Sequence, residues 1–242
     1  MINTRVSTYS LIAVLLLSGT TVSAHGRMSR AVQFYFDKSN SSRLLEADNI
    51  ERCILLVERV VCDFKSADDQ FRLSAIHANT GTSSPILKMK GPKCVGSMID
   101  YKIKEDWKNK LSPIIEKKLN LSYPKEVGYK TNIYPIIRKI QRQNRGNNET
   151  EVFIVSDMIH DYGDENLAID LLGLTRAQVI DMANNKVQQL AIKGMFKGVT
   201  VNIRVPGTIL GSSLQERIRE NVDIYWRYFF KATGASVDIE ML

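Results

Sequence analysis

The stretch AVQFYFDKSNS, residues 31–41, joins an apolar run to a polar turn. The run from Ala31 to Phe36 is almost wholly apolar, which is typical of a strand covered on both faces of a sheet. The turn that follows carries one carboxylate and two hydroxyls, on Asp37, Ser39 and Ser41. We therefore expect a buried strand whose carboxyl end presents oxygen atoms.

The rest of the chain alternates between strand and helix patterns. Further strands are predicted at Gln70 to Ala78, Pro85 to Lys90 (an edge strand), Val152 to Val155 and Val199 to Val205. Helices are predicted on the Ile50, Ile54, Val57 and Val61 stripe, around Trp107 to Ile115 with a break at Ser112-Pro113, after Thr131, from Thr175 to about Lys193, and from Ser213 to Gly234. This alternation predicts an α/β fold with one doubly wound, mostly parallel central sheet, helices on both faces, and a single domain.

Two further segments carry oxygen ligands at the expected ends of elements. Asp157 follows the apolar run Val152 to Val155, and Thr131 opens a helical pattern. Ligands collect at the carboxyl ends of the strands in an open α/β sheet, so one sheet edge could gather Asp37, Ser39, Ser41, Thr131 and Asp157. Two carboxylates and three hydroxyls suit magnesium, manganese or calcium better than zinc or copper. Five side chains also leave a sixth, exchangeable coordination position.

Each of these residues has a simpler interpretation. Asp37, Ser41 or Ser42 could cap the following helix, and Thr131 could cap another. Asp157 could begin an Asx turn. It is the occurrence of all three segments together that favours a metal site.

The three segments resemble the metal-ion-dependent adhesion site of von Willebrand factor type A domains. The matching pieces are Asp37-x-Ser39-x-Ser41 after the first strand, Thr131 in GYKTNI, and Asp157 in VSD, and the resemblance covers about residues 30–235. It implies that Ser39 and Ser41 bind the ion directly, that Asp37, Thr131 and Asp157 bind it directly or through water, and that a carboxylate from a partner protein fills the open position. It also implies magnesium or manganese ahead of calcium, and a binding module without catalytic chemistry.

An enzymatic alternative uses the same residues. Asp37 could act as a nucleophile toward phosphoryl groups, with magnesium held by Asp157, in a phosphohydrolase on a Rossmann-like sheet. That chemistry calls for a second acid two residues after Asp37, where the chain has Ser39. The sequence therefore favours the binding module.

The pattern of the first residues predicts a signal peptide. Arg5 gives a positive start, Leu11 to Leu17 an apolar stretch, and Val22-Ser23-Ala24 a small-residue cleavage site, so we expect residues 1–24 to be removed and 25–242 to form the mature domain. The apolar stretch is too short to cross a membrane, which predicts a periplasmic or extracellular protein that is not an integral membrane protein. In such a compartment we expect one disulfide, from Cys94 to Cys62 or to Cys53.

Positive charge is concentrated in one part of the chain. The formal net charge is +7, and residues 101–145 alone carry twelve Lys or Arg against four acidic residues. These lysines could simply solvate helix faces, or they could attract an anionic surface. Specific nucleic-acid binding is not expected, because aromatic and basic residues do not interleave as a stacking platform requires. Asp161, Asp164 and Glu165 are expected in a solvated loop, and the aromatic run Tyr225 to Phe230 in the core.

Overall fold

The first apolar run forms a central strand of a sheet that is parallel except at one edge. The computed structural model describes residues 29–39, 42, 44, 46–64, 66–77, 80, 84–93, 97–119, 130–143, 149–207 and 213–242. Within them, one six-stranded sheet has the order β3-β2-β1-β4-β7-β8, with only β3 antiparallel to its neighbour. Its strands are β1 (Arg30–Asp37), β2 (Gln70–Ile76), β3 (Leu87–Lys90), β4 (Glu149–Val155), β7 (Val199–Val205) and β8 (Ser236–Met241). A two-stranded hairpin of β5 (Asp161–Tyr162) and β6 (Glu165–Asn166) follows β4 along the chain.

Helices cover both faces of this sheet. They are α1 (Ala47–Cys62), α2 (Ser97–Leu119), α3 (Tyr134–Gln143), α4 (Leu167–Asp170), α5 (Arg176–Gln189) and α6 (Ser213–Ala232). Side chains of α1 and α2 pack with Phe34 and Phe36 of β1 in one buried cluster. Side chains of α3, α5 and α6 pack with Tyr35 in another. Alternate residues of β1 thus serve opposite cores, as period-two geometry requires. The predicted doubly wound α/β fold in a single domain is confirmed.

Several predicted details are also confirmed. Thr175 and Gln178 form the capping box that starts α5, although this helix ends at Gln189 rather than near Lys193. Gly234 follows α6 with a φ of 90°, a backbone conformation that favours glycine. Trp226 lies wholly buried in the core with its aromatic neighbours.

Other details are wrong. Pro113 does not interrupt a helix: α2 runs through it without a break, and the Ser112 hydroxyl donates to the carbonyl of Lys108 on the preceding turn. Strand β3 begins at Leu87, two residues later than predicted. The sequence did not predict β8 or the β5–β6 hairpin, and that hairpin contains the acidic residues expected in a loop.

The expected disulfide is not formed by the described cysteines. Cys53 is buried and Cys62 is partly buried, and both are free thiols. Cys94 lies outside the described residues, as do Ser41 and the expected signal peptide, residues 1–24. Within the described ranges, every helix is too short or too polar to cross a membrane.

Candidate metal centre

The candidate centre lies where β1 and β4 end side by side. The two strands are parallel neighbours, and Phe36 is paired with Val155. Asp37 is the last residue of β1, while Ser156 and Asp157 directly follow β4. Two acidic residues that are far apart in sequence therefore lie at the same sheet edge, as the apolar runs predict.

Both oxygens of the Asp37 carboxylate accept hydrogen bonds. The Ser39 backbone N–H donates to Oδ1 at 2.9 Å, and the Ser156 hydroxyl donates to Oδ2 at 2.6 Å. The side chain of Ser39 also contributes a hydrogen bond to this carboxylate. These contacts fix the orientation of Asp37 and hold Ser39 against it in a tight turn.

The loop after β1 is closed by Ser42 rather than by a helix cap. Its hydroxyl reaches the carbonyl oxygens of Asp37 at 2.6 Å and Ser39 at 2.9 Å. Helix α1 begins only at Ala47, and the residue at its N-cap position, Glu46, makes no side-chain capping bond. The capping interpretation of Asp37 and Ser42 is therefore wrong.

Asp37 and Asp157 influence each other electrostatically. Their exposed fractions are 0% and 5%. The pKa of Asp37 is raised to about 7, mainly by burial and secondly by the negative charge of Asp157. Hydrogen bonds from Ser156 and Ser39 partly oppose this shift. Two buried carboxylates close enough to perturb each other are better accommodated with a proton or a cation between them.

The Asp157 loop is held from several directions. Asp157 Oδ1 accepts the Ile159 N–H at 3.0 Å, so the Asx turn expected as an alternative is present. The Asp157 carbonyl accepts a bond from Arg219 of α6 at 2.8 Å. Next to it, the Met158 carbonyl accepts one from the indole N–H of Trp226, also at 2.8 Å. A carboxylate has about four lone-pair sites, so an Asx turn does not prevent Asp157 from acting as a metal ligand, and the two interpretations are compatible.

Thr131 joins this loop through its backbone. Its carbonyl accepts the Asp161 N–H at 2.9 Å, and two residues later the Ile133 N–H donates to Nδ1 of His160 at 3.2 Å. Thr131 is 2% exposed and lies before α3, which begins at Tyr134, so it does not cap that helix directly. The structure therefore ties the Thr131 segment to the residues just beyond Asp157.

The described part of the candidate set is thus Asp37, Ser39, Thr131 and Asp157, and Ser41 lies outside the described residues. Among described residues, no group of three or more His, Cys, Asp and Glu side chains could hold a metal ion. A centre here would depend on hydroxyl oxygens to supplement two carboxylates, which matches hard cations such as Mg²⁺. Ion binding by these residues remains a prediction.

Three residues that support the site are not predicted from the sequence. Ser156, Arg219 and Trp226 act on the carboxylate of Asp37 and on the backbone of the Asp157 loop. The position of Ser156 directly before Asp157, at the end of an apolar run, could have indicated its role. No local pattern marks Arg219 or Trp226, because both reach the loop from a distant helix.

Known proteins give a limited comparison. No protein-family model and no curated protein sequence matches the chain. Three solved structures of proximal thread matrix protein 1 from the mussel byssus are similar to this chain, with 14–15% identity and TM-scores of 0.39–0.41. One of those structures has a zinc-occupied MIDAS motif. The matched region covers 84–85% of this chain but 46–48% of the mussel protein, so the chain spans about half the length of these neighbours. The fold class stated above rests on the observed sheet and helices.

Proposed function

We propose that this chain is a metal-dependent protein-binding module of the von Willebrand factor A type. Asp37, Ser39, Ser41, Thr131 and Asp157 would hold one divalent cation at the carboxyl ends of β1 and β4. The observation that carries this proposal is the buried Asp37–Ser156 contact, which fixes one carboxylate beside the loop of a second one, Asp157.

The donor set favours magnesium, with manganese or calcium as alternatives. Carboxylate and hydroxyl oxygens are hard ligands, and magnesium is commonly bound by one or two carboxylates with the remaining positions left to water or substrate. A bound cation would supply a Lewis-acidic position for an exchangeable oxygen ligand. Ser39 and Ser156 would orient Asp37 for the ion, and contacts from α6 would fix the Asp157 loop.

The proposed partner is a protein that presents a carboxylate. Two carboxylates against a doubly charged cation leave the centre close to neutral, so a third carboxylate can still be attracted to it. Specificity would then come from the surface around the centre rather than from the ion itself.

Export is part of the proposal. Removal of residues 1–24 would release a mature domain of residues 25–242 into the periplasm or the extracellular space. Mass spectrometry of the protein purified from its native host tests this directly, because cleavage predicts an amino terminus at His25.

The basic face of α2 is proposed as a secondary contact with an anionic surface. Lys102, Lys110 and Lys117 are exposed on this helix, whereas Lys108 pairs with Glu58 of α1 at 3.2 Å. An exposed row of lysines binds anions weakly and in a salt-dependent way, so it would assist capture rather than determine the partner.

The phosphohydrolase alternative is less well supported by the geometry. A nucleophilic carboxylate has to reach a phosphorus atom, but the Asp37 side chain is buried and both of its oxygens accept hydrogen bonds. Magnesium-dependent turnover of p-nitrophenyl phosphate that disappears in Asp37→Asn would favour this alternative over the binding module.

Calorimetric titration with magnesium and manganese chloride tests the proposal. We expect saturable binding by the wild-type protein and its loss in Asp37→Ala and Asp157→Ala. Asp69→Asn is a matched control, since Asp69 is also buried but accepts bonds from the backbone N–H groups of Arg30 and Ser66 at the opposite sheet edge. Unchanged ion affinity in both site variants would refute the proposal.

A further inference from the structure

A second concave site lies on the α5–α6 side of the molecule. A cavity of about 480 Å³, open to solvent on one side, is lined by α5, by Tyr225 of α6 and by residues between His160 and Asp170. None of the described candidate metal ligands lines it. Its size falls within the range of pockets that bind small molecules.

One wall of the cavity is a polar face of α5. Gln178, Asp181, Asn185 and Gln189 recur at helical spacing and line the cavity together. Met182 of the same helix provides an apolar patch on that wall. The wall therefore offers amide and carboxylate oxygens beside a hydrocarbon surface.

The cavity already holds one ammonium group, that of Lys186, which also belongs to α5. Lys186 Nζ lies 4.5 Å from the ring centroid of Tyr134 and 2.5 Å from Oε1 of Glu165. The Tyr134 and Tyr225 hydroxyls are hydrogen-bonded to each other at 2.7 Å. This combination of an aromatic face and a carboxylate is a favourable environment for a cation.

The cavity is acidic although the protein is basic. Among the described residues, Glu165, Asp170 and Asp181 line it together with one cationic side chain, Lys186. His160 is neutral at pH 7, because burial lowers its pKa to about 4. Once Lys186 has neutralised Glu165, the charges of Asp170 and Asp181 remain, within a chain whose formal net charge is +7. The local charge of the cavity therefore favours cations, in contrast to the positive net charge of the chain.

We propose that this cavity binds a small alkylammonium ligand. Its ammonium groups would be held by Asp170 and Asp181 and by the amide oxygens of Gln178 and Asn185. Its methylene chain would lie on Met182 and on Leu167, which also lines the cavity. The ligand is either a free di- or polyamine or the side chain of a lysine in a partner, since both present the same group.

Titration with cadaverine tests this site. With saturating magnesium present to occupy the candidate metal centre, we expect saturable binding by the wild-type protein and about fivefold weaker binding in each of Asp170→Asn and Asp181→Asn. Asp106→Asn, which removes an exposed carboxylate of α2, should bind as the wild type does. Binding should persist in Asp157→Asn, which separates this site from the proposed function.

Two further probes complete the experiment. The uncharged 1,5-pentanediol should not bind. Nα-acetyl-lysine amide, which keeps the charged side-chain ammonium, distinguishes the two sources of the ligand. Tighter binding of cadaverine favours a free amine, and tighter binding of the lysine derivative favours a partner side chain. No saturable binding of either amine, equal binding of the diol, or unchanged affinity in both cavity variants would overturn the proposal.

Discussion

The Ser156 hydroxyl donates a 2.6 Å hydrogen bond to Oδ2 of Asp37, a residue 119 positions earlier in the chain. The same hydroxyl oxygen accepts the backbone N–H of Met158 at 2.8 Å. One buried side chain thus connects the acidic end of β1 to the turn that follows β4. Loss of this hydroxyl should affect both the stability of the fold and the geometry of the candidate centre.

Ser156→Ala should lower the free energy of unfolding by about 1–3 kcal/mol, because a buried carboxylate oxygen and a backbone N–H both lose their partner. Urea denaturation followed by circular dichroism measures this change. Ser156→Thr retains the hydroxyl and should recover part of the loss. Equal destabilisation by both substitutions would show that side-chain volume matters here, and not the hydrogen bonds.

The contribution of Asp37 to the stability of the metal-free protein should fall as the pH rises from about 4 to about 7. The pKa of Asp37 in the folded protein, about 7, lies above the value of 3.8 expected for an unperturbed aspartate, so the folded state binds the proton more tightly and loses that advantage as the pH rises. Magnesium should oppose the loss, because it favours the ionised carboxylate. Melting temperatures with chelator and with magnesium, at about pH 5 and about pH 8, measure both effects.

Asp37→Asn provides the control for that experiment. An amide does not titrate, so the variant should lack both this pH dependence and the stabilisation by magnesium. A wild-type melting temperature that responds to magnesium equally at both pH values would contradict the assignment of the effect to Asp37.

His160 should produce a pH dependence of the opposite sign. Burial lowers its pKa to about 4, below the unperturbed value of 6.5, so its contribution to stability is lost as the pH falls through that interval. The effect is on the order of 2 kcal/mol. In the Asp37→Asn background, which lacks the opposing contribution of Asp37, His160→Gln can still accept the Ile133 N–H and should flatten the stability profile between about pH 6.5 and about pH 4. A double variant with the same profile as Asp37→Asn alone would exclude His160 as the origin of this pH dependence.

Arg219→Ala should weaken ion binding without unfolding the protein. Arg219 donates to the Asp157 carbonyl and pairs with Asp223 one turn along α6. Without Arg219, the backbone of Asp157, a proposed metal ligand, is held less firmly. Outer-shell substitutions of this kind typically reduce metal affinity about tenfold. Arg217→Ala, which removes an exposed arginine of the same helix, is the control, and its ion affinity should equal that of the wild type. Equal affinities in the two variants would show that α6 does not position the loop.

Much of the central sheet could be predicted from the sequence, because β1 and β4 contain apolar runs and β7 alternates apolar and polar residues. Parallel pairing of β1 and β4 then placed Asp37 and Asp157 at one edge without further information. Strand β8 was missed because it is only half-buried and carries Asp238 and Glu240. In the structure both of these acids pair with Arg204 of β7, at 2.8 Å and 3.3 Å.

The remaining errors come from contacts that only the folded chain creates. Proline usually ends a helix, yet Pro113 is retained inside α2, where Leu111 and Ile115 are buried against α1 and the sheet. Tertiary packing thus overrides a local preference. The expected disulfide followed from the oxidising compartment and from cysteine spacing, and neither fixes how far apart two thiols lie in space.

Met158 has a φ of 60°, a left-handed conformation that costs a non-glycine residue about 1–2 kcal/mol. The bonds from Trp226 and to Ser156 hold it there. The Asp157 loop is therefore preorganised: its own contacts hold it in a bent shape, so binding of the proposed ion would need little free energy to order it. Met158→Gly would remove this conformational cost, but glycine would also make the turn more flexible, so the loop would be less well ordered before an ion binds.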